Sequence, residues 1–151
     1  MINRVLVDSS FLIAQLDERD THHKTAKTIH ELFRNQGVSY LYLDCVVNET
    51  ITVLARRARE RKVDPVPIIR RVRGEFPSGR LTWTGPELPR LWDPALDILE
   101  EYRGQLSLHD CLIILIAREE AIPWVASFDR GFDQVDGLRR VGTAVSFRPA
   151  T

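Results

Sequence analysis

A chain of 151 residues in which 21 Lys and Arg offset 21 Asp and Glu carries no formal net charge, so it lacks the basic excess typical of nucleic-acid binders, although a local basic patch stays open. Apolar residues at 44% and charged residues at 28% suit one globular domain, residues 1–151, that buries roughly 70% of its unfolded surface without needing staples. No charged start with an apolar core and cleavage site is present, and the longest apolar run, Cys111 to Ala117, is far short of a membrane span, so the expectation is a soluble cytoplasmic protein.

Val5-Leu6-Val7 reads as a buried strand over 3–7 that stops at Asp8. Ser9 and Ser10 then open a short helix, 9–17, whose apolar positions are Phe11, Leu12, Ala14 and Leu16. A second helix spans about 23–36 with a stripe of Ala26, Ile29, Leu32 and Phe33, and Gly37 ends it. The run "YLYL" (40–43) is a second strand, followed by a long helix over 45–61. A Pro-punctuated turn leads to a helix over 66–76, and "RLTWT" (80–84) is a third strand. "GPELP" starts a helix that ends near Arg103. Ser107 begins the most apolar helix, "SLHDCLIILIAREE", which Pro123 closes. "WVASF" (124–128) is the fourth strand and "RRVGTAVSF" (139–147) carries the last. Cys45 and Cys111 fall inside apolar patterns and read as reduced, buried thiols. Strands alternating with helices predict an α/β domain with a mainly parallel sheet, in which ligands bind outside the carboxyl ends of the strands.

Four acids fall at places where a carboxylate is costly. Asp8 follows the first strand and Asp129 the fourth, on one edge of the sheet. Glu49, three residues after Val46 and four before Val53, is expected on an apolar, core-facing stripe. Asp110 shares a face with Leu106, Ile113, Ile114 and Ala117. Singly, each has a structural explanation: a cap or turn for Asp8 and Asp129, a snorkelling side chain for Glu49, a helix-dipole position for Asp110. Asp44 also follows a strand and reads as the N-cap of the long helix. Those explanations do not account for four acids arriving together, which without cations would repel and force some to hold protons. An oxygen-rich, nitrogen-poor pocket suits Mg²⁺ or Mn²⁺, ions that clamp a phosphodiester and generate hydroxide from bound water.

The segments "VLVDSSFLIA", "LSLHDCLIILIA" and "VASFDRGF", with Glu49 between the first two, resemble the PIN-domain family in order and separation over residues 3–147, and are most similar to its small VapC-like toxins of toxin–antitoxin pairs. The resemblance implies a three-layer α/β/α fold around a parallel sheet of about five strands, and metal-dependent endoribonuclease activity. Asp8, Glu49, Asp110 and Asp129 would form the catalytic, metal-binding site, supported by Ser9 and Ser127. A water would attack the RNA phosphate, leaving a 5′-phosphate and a 3′-hydroxyl. A homodimer silenced by a cognate antitoxin is the family's usual arrangement. One departure stands out: relatives often read Asp-x-Asp-Phe after the fourth strand, where this chain has Asp129-Arg130-Gly131-Phe132. Gly131 removes an outer carboxylate, which leaves a second metal open and makes the direction of Asp133 a question for the structure.

Basic residues cluster in "RRARERK" (56–62) and "RRVR" (70–73). They are either solvated helix ends favoured by the dipole or an RNA-phosphate patch, with Arg56 and Arg57 nearest Glu49 in sequence. The "HHK" at 22–24 reads as a helix start or surface feature, since two histidines without further nitrogen or sulfur ligands are poor grounds for zinc. Competing readings are an aspartyl phosphotransferase, disfavoured because position 10 is Ser10 and not an acid, and a nucleotide-binding fold, disfavoured because the first glycine is Gly37. A non-catalytic PIN-fold binding module and a housekeeping RNA-processing nuclease remain alternatives to the toxin.

Overall fold

The computed structural model describes residues 2–143. Among the described residues five strands form one sheet: β1 (Arg4–Val7), β2 (Ser39–Leu43), β3 (Leu81–Thr82), β4 (Trp124–Ala126) and β5 (Arg139–Val141), in the order β3-β2-β1-β4-β5. Every neighbouring pair is parallel, with Leu6 opposite Leu41 on one side and Val125 on the other. Val5, Leu6 and Val7 are wholly buried, as expected of a central strand covered on both faces, where alternation gives way to a continuous apolar run. Residues 144–147 of the predicted last strand lie outside the described residues.

The connections carry six α-helices among the described residues: α1 (Ser9–Leu16), α2 (His23–Asn35), α3 (Asp44–Glu60), α4 (Val66–Glu75), α5 (Leu88–Glu101) and α6 (Leu108–Glu119). The helix α1 buries Phe11, Leu12, Ile13, Ala14 and Leu16, an apolar surface nearly all round that belongs to a core helix. By contrast α2 buries one stripe, Ala26, Ile29 and Phe33, and its exit is made by Gly37 at a φ of +68°, a left-handed turn that costs glycine nothing. The helix α1 packs on α2 and α3, α3 on α4, and α5 on α6. Right-handed crossovers running first from β1 toward β3 and then back to β4 put these two helical groups on opposite faces. The reversal between β1 and β4 is the switch point of the sheet, where side chains from two diverging loops can share a space.

The end of β2 differs from the expectation. Asp44 is not the N-cap of α3; Leu43 holds that position and Asp44 is the first helical residue. Its Oδ1 accepts from the Thr84 amide at 2.8 Å and the Thr84 hydroxyl at 2.6 Å, tying the segment after β3 to α3. Burial works against its charge, but the Thr84 bonds hold the carboxyl below its ordinary range. A long-range donor outside the reach of sequence periodicity decided its role.

Candidate active site

A cleft of about 540 Å³ opens at the carboxyl ends of β1 and β4, and Asp8, Glu49, Asp110 and Asp129 all line it. Asp8 is delivered by the last step of the central ladder, where its amide donates to the Ala126 carbonyl at 3.0 Å. Its side chain is enclosed, the residue being 7% exposed. Ser10 Oγ donates to Asp8 Oδ2 at 2.7 Å and Ser127 Oγ donates to the same oxygen at 2.8 Å. Each hydroxyl in turn accepts from the chain after β4: Ser10 from the Phe128 amide at 3.0 Å, Ser127 from the Asp129 amide at 2.9 Å. Each hydroxyl thus accepts one amide and gives its single proton to Asp8, the two hydroxyl oxygens lying 3.2 Å apart. Burial nevertheless pushes the Asp8 carboxyl above its ordinary range.

This arrangement corrects the hydroxyl expected from sequence. The Ser127 hydroxyl bonds Asp8, and at the start of α1 the hydroxyl that does so is that of Ser10, while Ser9 meets the Asp8 carboxyl through its backbone amide. Ser9 is buried and lines the cleft, yet a helix turns each successive side chain by about 100°, and the hydroxyl that arrives over Asp8 belongs to the next residue. The Asp-x-Ser spacing was the available signal.

Asp110 comes from the first turn of α6. Ser107 caps that helix, its hydroxyl accepting from the Asp110 amide at 3.1 Å while Asp110 Oδ2 accepts from the Ser107 amide at 2.8 Å, a reciprocal capping box. Burial raises the Asp110 carboxyl, and the charges of Asp8 and Asp129 raise it further against the Ser107 bonds. Asp110 therefore feels the charges of both Asp8 and Asp129 across the cleft. Asp129 stands at the mouth, exposed, its Oδ1 accepting from the Gly131 amide at 2.8 Å. A Cβ at Gly131 would stand 3.1 Å from that oxygen and 3.3 Å from Leu106, so the residue replacing the outer acid fits a confined turn. Asp133 does not substitute for it: both of its oxygens are taken by Arg140, at 2.7 and 2.9 Å.

Glu49 reaches the cleft from α3 but not from the core-facing position expected. Its side chain is 44% exposed and meets His109 Nδ1 at 3.3 Å. Val46, one turn earlier, is buried, and Glu49 sits at the edge of that stripe with its carboxylate in water. The two arginines separate. Arg56 faces solvent near Glu60 and does not line the cleft, because successive helical residues point about 100° apart. Arg57 does line it, with Nη1 donating to both Asp17 Oδ2 and Asp20 Oδ2 at 2.8 Å, while Arg61 grips Asp17 at 2.8 and 3.0 Å. His22, expected as a helix start or surface residue and indeed the residue before α2, also stacks at the cleft wall on Phe128, which the sequence did not single out. Only the tertiary contact marks the pair.

Among the described residues, no three His, Cys, Asp or Glu side chains are gathered into a ready-made metal site. The donor set is nonetheless all oxygen, and Mg²⁺ keeps several waters and takes only one or two carboxylates together with substrate phosphates. Asp8 and Asp110, confined and mutually repelling, fit that demand.

No curated protein matches the chain by sequence. Among solved structures, it is similar to the VapC20 toxin of Mycobacterium tuberculosis, described as cleaving the sarcin–ricin loop, with a TM-score of 0.61, 23% identity, and coverage of 83% of this chain and 89% of that one. That likeness shows the fold. A sequence model of the PIN domain matches residues 5–138, a span that runs from within β1 to the turn after β4 and holds all four acids, and the chain belongs to the PIN domain family.

Proposed function

We propose that this protein is a Mg²⁺- or Mn²⁺-dependent endoribonuclease that acts as the toxin of a cytoplasmic toxin–antitoxin pair. The observation that carries the reading is one cleft at the sheet's switch point lined by Asp8, Asp110, Asp129 and Glu49, with burial raising the first two. Family membership and the description of VapC20 as an RNA-loop-cleaving toxin support RNA as the substrate class and an antitoxin as partner. No helix among the described residues is long and apolar enough to cross a membrane. A homodimer is the assembly expected.

Asp8 and Asp110 would hold the ion, with Asp129 and Glu49 positioned for its waters. When bound, the ion supplies charge stabilisation at the phosphate and a more acidic water. The chain's own part is positional. Ser10 and Ser127 fix Asp8 in one rotamer, the Ser107 capping box fixes Asp110, and the Gly131 amide holds Asp129. No side chain is needed as a nucleophile; water cuts the phosphodiester to leave a 5′-phosphate and a 3′-hydroxyl.

Because the ion binds only the folded chain, Mn²⁺ at 100 times its Kd stabilises by about 2.7 kcal/mol, a rise in melting temperature of about 5–11 °C for a chain of this size. Asp8→Asn should lose most of that rise, keep the fold, and lose RNA cleavage. A mutant that cuts RNA in Mn²⁺ as wild type does would remove Asp8 from the site. RNA bound but never cut would identify a binding module instead.

A further inference from the structure

We propose that His22 is the outer face of a stacking platform that holds an unpaired RNA base beside the phosphodiester to be cut; the proposal rests on the nuclease reading above. Three rings form a column. Phe11 of α1 is wholly buried and stacks on Phe128, centroids 5.8 Å apart and planes 18° apart. Phe128 is partly buried, and His22 lies on it at 4.3 Å and 6°. The column thus starts in the core and ends at an exposed imidazole in the cleft wall. Among the described residues the His22 ring makes no hydrogen bond or ion pair; its contact is the Phe128 face.

Two features suit this surface to a base. The first is position: His22 lines the same cleft as Asp8, Asp110 and Asp129, and the Phe128 ring beneath it belongs to the segment between Ser127, which bonds Asp8, and Asp129. The second is rigidity. The His22 amide donates to Asp20 Oδ1 at 2.9 Å, Asp20 Oδ2 is held by Arg57 at 2.8 Å, and His23 Nδ1 meets the Ala14 carbonyl at 2.7 Å. The loop from α1 to α2 is therefore anchored to α1 and α3 before any ligand arrives, which lowers the ordering cost of binding. Around it the cleft is lined by carboxylates that repel phosphate unless cations intervene, and Arg57 on the same wall is already bonded to Asp17 and Asp20, so a flat, neutral π-face is the part of an RNA strand that this wall can take directly. Unpaired bases are recognised in that way by aromatic and histidine side chains, and the contact is sequence-tolerant in itself.

The test uses short single-stranded oligoribonucleotides with one 2-aminopurine, whose emission falls on stacking, bound in Ca²⁺ in place of Mg²⁺ to hold back cleavage. For wild type, quenching is expected at one position of the strand. His22→Ala should lose that quench and weaken binding about five- to 150-fold, while His22→Phe retains both, which separates stacking from any acid–base role of the imidazole. Thermal melting checks that each variant is folded. Unchanged affinity and quench in His22→Ala, or loss of both in a folded His22→Phe, would overturn the platform. If wild-type protein cuts RNA and His22→Ala cuts it with the same kcat/KM, the platform falls and the nuclease reading stands. If wild type neither binds nor cuts RNA, both fall.

Discussion

Gly142→Ala should damage the site from behind. Gly142 follows β5 without a left-handed φ, so alanine adopts its backbone freely and the effect is one of space. A Cβ there would stand 2.8 Å from the Ser127 carbonyl oxygen and would also meet the Arg140 guanidinium. The guanidinium is the far end of a flexible side chain and can swing aside, at the loss of its bonds to Asp133 and to the Ser127 carbonyl. The carbonyl cannot, because the Ser127 amide is bonded to Val141 at 3.1 Å and Ser127 is wholly buried. A comfortable carbon–oxygen contact is about 3.3 Å or more, so the Ser127 backbone must yield by about 0.5 Å. Overpacking of that kind costs about 1–3 kcal/mol, or about 2–12 °C in melting temperature. The same movement loosens the hydroxyl that fixes Asp8, and loss of such a supporting bond weakens metal binding about 10- to 100-fold. Melting in EDTA followed by Mn²⁺ titration measures both effects. Arg140→Ala added to Gly142→Ala should rescue neither, since the carbonyl contact remains. Full rescue by that second change, or a single variant that melts and binds Mn²⁺ as wild type does, would refute the reasoning.

Metal-free stability should also depend on pH in a way that Asp8 controls. Its carboxyl lies above the ordinary 3.8 when folded; below 3.8 it is protonated in both states and contributes nothing, and as pH rises the unfolded chain releases its proton first, so stability is lost until the folded carboxyl ionises as well. In EDTA, Asp8→Asn should therefore gain on wild type as pH rises above about 4, and a difference in melting temperature that stays flat as pH rises would contradict the burial argument. Arg57→Met tests whether that arginine is a clamp or a phosphate ligand. As a clamp on Asp17 and Asp20 it should cost about 1.5–3 kcal/mol and leave the salt dependence of RNA binding unchanged, whereas a fall of about one in the log–log salt slope would return Arg57 to phosphate binding.

The amino-acid sequence by itself determined the order of strands and helices and the edge on which the chemistry gathers. Val5-Leu6-Val7 and "WVASF" are short apolar runs too dense for anything but covered strands, and the acids beyond them had to emerge at their carboxyl ends. Asp110 stood out by its apolar face-mates Leu106, Ile113, Ile114 and Ala117, while its reciprocal bonds with Ser107 came from the structure. What the sequence left undecided depends on which distant atoms meet. Asp44 was claimed by Thr84, 40 residues away, rather than by its own helix. The hydroxyl on Asp8 came from Ser10 rather than Ser9, Asp133 was taken by Arg140, and Glu49 settled in the rim with His109. His22 and Phe128, 106 positions apart by their numbering, had no shared pattern at all until α1, α2 and the turn after β4 were packed together. Periodicity reports which face of an element is buried; hydrogen bonds and ring contacts between elements are fixed to within a few tenths of an ångström by the packing of the whole chain, and only the tertiary structure carries that information.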